Sequence, residues 1–151
     1  MIFGGVFKRC AGNFGGNLGS EKMRDNQRSR LYKAERAAWN CCYPVKSLSL
    51  DDCKRLVKKA ARFTDGPTPS VLDGRGRRSA WGSWYNIKLP RWARTRWIIL
   101  HEYTHAITSD KHGPSFAKTY LALVRRFIGH TEGEILKIAY KQYRVKYITR
   151  R

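Results

Sequence analysis

The sequence predicts an α+β domain in which a few helices pack on a small sheet of two or three strands. Three observations predict it. Long stretches without internal glycine or proline place apolar residues at helical spacing, over 24–42 and again over 50–63, 91–107 and 115–127. Between residues 65 and 89 the pattern changes to short aromatic or β-branched segments separated by glycine, which suits brief strands. Finally, 42% of the 151 residues are hydrophobic, with five Trp, eight Tyr and six Phe, enough for one buried core.

Taken in order, residues 1–23 carry Gly4, Gly5, Gly12, Gly15, Gly16 and Gly19 and little periodic hydrophobicity. They read as a flexible N-terminal arm, followed by a single domain over 24–151. A first helix begins in RDNQRSRLYKAERAAWNCC, where Leu31, Ala34, Ala38 and Cys42 share one face. Ser49, three residues before Asp52, caps a second helix that runs to about Phe63 on a stripe of Leu50, Cys53, Leu56, Val57 and Ala60. DGPTPS from Asp65 is a loop, and the strands fall around Val71, Ala80–Trp81 and Tyr85–Leu89. Pro90 opens a long helix that ends near Ile107. Pro114 starts the next, with Phe116, Tyr120, Leu123, Val124 and Phe127 on one face and Gly129 as its stop. Thr131 and Glu134 form a capping box for a last helix carrying Ile135, Ile138 and Ala139, and VKYITRR is a basic tail or edge strand.

The chemistry concentrates in His101, Glu102 and His105, an H-E-x-x-H within the long helix. At about 100° per residue the two imidazoles lie about 40° apart around the axis and one turn apart along it, so both reach a single ion. Glu102 falls close enough to hold and deprotonate a bound water. On the opposite side Trp92, Ile99, Tyr103, Ala106 and Ile107 make an apolar stripe, so the His side is expected to be free of packing. Arg94, Trp97 and Ile98 share the His side as a substrate groove or a second packing layer. A catalytic zinc takes three protein ligands and leaves a fourth position for water. His112, in the turn after the helix, is the best third ligand; His130 and Asp110 are its rivals. Tyr85, Tyr120 or an arginine would donate to the oxyanion.

HEYTH followed by HGPSF resembles the SprT-like zincin metallopeptidases, and residues 24–130 are similar to a family of small zinc metallohydrolases of bacterial and phage origin defined by the same motif. The resemblance implies a zincin-like fold with the motif on a central helix. It implies Zn2+ held by His101, His105 and His112, with Glu102 as general base in peptide-bond hydrolysis. The loop from His105 to His112 is shorter than in many SprT-like enzymes, with Ser109 near the place where metzincins turn on glycine. SprT-like enzymes include proteases acting on proteins crosslinked to DNA, so protein substrates near DNA are implied.

Charge points the same way without the resemblance. The 31 Lys and Arg against 11 Asp and Glu give a formal +20 and a pI near 10.4, which calls for a polyanionic partner, nucleic acid first. Trp81, Trp84, Tyr85, Trp92 and Trp97 interleave with Arg75, Arg77, Arg78, Arg91, Arg94 and Arg96 immediately before the metal motif, as a nucleic-acid groove would. No apolar run reaches the roughly 18–20 residues of a membrane span. Cys10, Cys41, Cys42 and Cys53 lack C-x-x-C spacing and read as reduced packing residues; with MIFGGVFKRC failing as a secretory signal, the expected compartment is cytoplasmic. A different class of reading remains, a basic nucleic-acid-binding or structural protein whose zinc, closed by a fourth Cys or His, only holds the fold.

Overall fold

A computed structural model describes residues 24–42 and 44–149; the N-terminal arm expected over 1–23 lies outside these residues. The described chain is α+β, with helices α1 (Arg28–Cys41), α2 (Leu50–Thr64), α3 (Arg96–Ile107), α4 (Pro114–Phe127) and α5 (His130–Gln142). Strands β1 (Ser70–Asp73), β2 (Trp81–Gly82) and β3 (Asn86–Leu89) form a mixed sheet in the order β1-β3-β2. β3 is its centre. Val71 of β1 pairs in parallel with Ile87, and Gly82 of β2 pairs with the same residue antiparallel. Ile87 and Leu89 are buried while Asn86 and Lys88 are half-buried, the period-two alternation of a strand with one face on a core.

Local signals set most helix ends. Ser49 Oγ accepts from the Asp52 backbone N–H at 3.1 Å, as the sequence predicts, and Asp51 and Asp52 place negative charge at the positive end of α2. Pro114 occupies the first turn of α4, where its missing N–H costs nothing. The capping box expected at Thr131 does not form. α5 starts two residues earlier, at His130 after Gly129 as its N-cap, and Glu134 pairs with Arg125.

The long helix expected from Pro90 is interrupted. Arg91–Ala93 make a 3-10 turn, Arg94 and Thr95 leave the helical path, and α3 begins at Arg96 with Thr95 Oγ1 accepting from the Ile98 N–H. Tertiary contacts cause the break: the Arg94 guanidinium reaches back to the Leu89 carbonyl and to Asp73 at 3.0 Å, and its carbonyl accepts from the Leu48 N–H. Trp92 is thereby left on the exposed turn and drops out of the apolar stripe.

α3 packs against α2, α4, β2 and β3, while α5 bridges α1 and α4. Nine α3 residues are buried, and they include Trp97, Ile98, His101 and Glu102 as well as Ile99, Tyr103 and Ala106. The expectation that the His side is free of packing is therefore overturned. Tyr32 from α1 and Phe116 and Tyr120 from α4 cover it, and Trp97 and Ile98 belong to the core. Among the described residues the tail forms no strand; Lys146 instead exchanges two hydrogen bonds of 2.9 Å with the Gln27 side chain at the start of α1. Among the described residues, no helix is long and apolar enough to cross a membrane.

Candidate metal centre

α3 sets His101 and His105 one turn apart, and their Nε2 atoms approach to 3.2 Å. The third imidazole arrives through a short turn. Lys111 takes the left-handed conformation at φ 56°, and the Asp110 carboxylate accepts from the N–H groups of Ser115 and Phe116 at 2.7 and 3.0 Å. A Cβ on Gly113 would lie 2.5 Å from Asp110 Oδ2, so a larger residue there would push the Asp110 carboxylate off its cap. This turn carries His112 back onto the motif, with ring centroids 5.4 Å from His101 and 4.7 Å from His105.

One ligand atom from each of His101, His105 and His112 lies within 4.8 Å of the others. Nitrogens bound about 2.0–2.1 Å from one tetrahedral ion sit about 3.4 Å apart, and the three imidazoles stand close enough together to share one ion. Of the rivals for third ligand, Asp110 is spent as the α4 cap and His130 stands exposed at the start of α5; neither joins the cluster.

Two carboxylates stand behind the imidazoles. Glu35 of α1, 3% exposed, meets His101 Nδ1 at 2.7 Å, and Asp25, just before α1, meets His112 Nδ1 at 2.7 Å. A carboxylate only accepts, so each Nδ1 donates, and the lone pair of each Nε2 is left for the cluster. His112 Nε2 is buried and makes no hydrogen bond. A donor set with that lone pair fits a metal ion.

Burial holds His105 well below the ordinary histidine range, with His101, His112 and Arg28 adding to it. Burial likewise lowers His112, against the opposing pull of Asp25. For Asp25 burial acts upward, but the hydrogen bond and charge of His112, with Arg28 and Lys111, outweigh it and lower its carboxyl. Neutral imidazoles beside an ionised Asp25 are the forms that bind metal.

Glu102 is buried beside His101 on α3, and β2 lies against its backbone; a Cβ on Gly82 would meet the Glu102 carbonyl oxygen. Of the tyrosines considered as oxyanion donors, Tyr120 gives its hydroxyl to the Trp97 carbonyl at 3.1 Å, and Tyr85 projects 74% exposed from the β2–β3 turn. Glu35 and Asp25 are absent from the sequence reading. Glu35 had a signal, since it is an acid on the buried stripe of Leu31, Ala34 and Ala38; Asp25 had none.

A scan against protein-family models gave no match, and searches of the curated proteins and of the solved structures gave none either, so the zincin resemblance rests on the motif residues alone.

Proposed function

We propose that the protein is a zinc metallopeptidase of zincin-like fold whose substrates are proteins associated with nucleic acid. The observation that carries the reading is the convergence of three imidazoles, two from an H-E-x-x-H helix, on one point with carboxylates behind two of them. His101, His105 and His112 would hold the ion, which when bound supplies an acidified water and polarises a carbonyl. Glu102 takes the proton from the attacking water and passes it to the leaving amine.

Of the arginines, Arg28 is the candidate for oxyanion donor. Its guanidinium carbon stands 5.5 Å from the centroid of the Tyr32 ring, which itself packs on His101 and His112, and its charge is felt at His105 and Asp25. Substrate enters as an extended chain along β2, the edge strand of the sheet beside Glu102.

The nucleic-acid surface is smaller than the sequence groove. Trp97 is buried and Arg94 is tied to Asp73, whereas Arg75, Arg77, Arg78, Arg91, Trp84, Tyr85 and Trp92 are exposed. Those residues meet phosphates and stack on bases.

The second reading, a non-catalytic zinc in a basic structural or nucleic-acid-binding protein, draws on the burial of His101, Glu102 and His112. Against it, no cysteine joins the cluster among the described residues. Glu102→Gln separates the two. It is expected to keep stoichiometric zinc and fold while losing hydrolysis of an unfolded protein substrate by at least about 100-fold. Unchanged hydrolysis by the zinc-loaded variant would exclude the mechanism, and absence of hydrolysis in the zinc-loaded native protein, with a protein or with protein on DNA, would favour the structural site.

A further inference from the structure

We infer that the metal centre is tuned from outside its ligands by the chain's first helix and the residues that lead into it: Glu35 and Asp25 are positioning residues for His101 and His112, and the Gln27–Lys146 clasp holds Asp25 in place. The inference rests on reading the cluster as a metal centre. It assigns to α1 and the tail a role that the motif itself does not contain.

Glu35 sits among Leu31, Ala34 and Ala38 on the buried face of α1, where an apolar side chain would pack without the cost of desolvating a charge. Its contact with His101 Nδ1 at 2.7 Å accounts for its presence. A carboxylate behind a ligating imidazole fixes the ring and its tautomer and raises the basicity of the other nitrogen. Asp25 does the same for His112. His105 has no carboxylate behind it among the described residues; its polar contact is with His101 Nε2. Two of the three ligands are thus supported, and both supports come from residues 25–35.

Asp25 precedes α1, so the helix alone does not hold it. The hold comes from Gln27, 5% exposed, whose amide donates to the Lys146 carbonyl and whose oxygen accepts from the Lys146 N–H, both at 2.9 Å. Arg30 adds a bond to the Arg144 carbonyl. The tail then returns to the metal side, where the Ile148 N–H meets the carbonyl of Pro114, two residues beyond His112. The contacts therefore close a circuit from His112 through Asp25, Gln27, Lys146 and Ile148 back to Pro114. Opening it at Gln27 frees Asp25 to leave His112 without altering any ligand.

The test is the apparent zinc affinity of the full chain, measured by competition with a chromophoric chelator, for the native protein and for Glu35→Gln, Asp25→Asn, Gln27→Ala and the Asp25→Asn/Gln27→Ala pair. Circular dichroism melts of the chelator-treated proteins identify variants that fold. Glu35→Gln and Asp25→Asn are each expected to weaken zinc about 10- to 100-fold. Gln27→Ala should weaken it less, and the pair should bind no more weakly than Asp25→Asn alone, because the clasp acts through Asp25. Simple loss of structure would lower the melts without producing that non-additivity. The inference falls if the native protein binds zinc and both carboxylate variants match it within twofold, or if the Gln27 and Asp25 effects add in full. Asp25 is partly exposed, so Asp25→Asn keeps the test decisive should Glu35→Gln fail to fold. A native chain that binds no zinc would overturn the metal reading itself, and this inference with it.

Discussion

The candidate metal centre and the sheet with its loops handle charge in opposite ways. Around His101 the Glu35 and Asp25 carboxylates each meet an imidazole Nδ1 at 2.7 Å, and Tyr32, Phe116 and Tyr120 pack over the His101 ring. On the β1–β2 loop Arg75, Arg77 and Arg78 stand in solvent, and Trp84 and Tyr85 stand exposed one turn further on. A buried network is preorganised and little screened, whereas exposed cations are screened within about 10 Å at 0.1 M salt. On the function proposed above, the first region would serve a reaction that needs fixed geometry, and the second the capture of a polyanion that needs only net charge. The two meet at Gly82, whose backbone touches Glu102.

The largest expected effect breaks the buried side of this contrast. His101→Ala, His105→Ala or His112→Ala should release zinc and abolish hydrolysis, since two ligands hold the ion poorly, while His130→Ala should leave metal content unchanged. Metal analysis of the purified variants checks it; zinc retained by all three, or lost from His130→Ala, would refute the assigned cluster.

A smaller effect is expected at the exposed side. Changing Arg75, Arg77 and Arg78 together to Ser should weaken binding to single-stranded DNA at low salt. It should also flatten the slope of log K against log salt by about two units, because each lost phosphate contact removes about 0.7 of a unit. Fluorescence anisotropy across a salt series reads both, and an unchanged slope would move the interface elsewhere. Zinc content should not change, which is the sharpest statement that the two regions act separately.

The smallest effect falls where they touch. Gly82→Ala places a methyl group against the Glu102 backbone and should destabilise the protein by about 1–3 kcal/mol, in the range of overpacking changes. Denaturant unfolding measures it; a neutral result would mean that β2 shifts freely relative to α3.

The sequence by itself determined what depends on near neighbours. The stripe of α2, the Ser49 cap, Pro114 at the start of α4 and the one-turn spacing of His101 and His105 all follow from periodicity and local hydrogen bonding, and each is found where the sequence places it. What only the tertiary structure decided depends on contacts far apart in the chain. Arg94 breaks the expected long helix because Asp73 and the Leu48 N–H compete for it, and the Thr131 box is lost because Glu134 is taken by Arg125. The carboxylates behind the candidate metal centre lie 66 residues from His101 and 87 from His112. Periodicity reports which face of a helix is apolar but not which element covers the other face. The burial of the His side, and the carboxylates that come with it, therefore had to wait for α1 to be seen packed over α3.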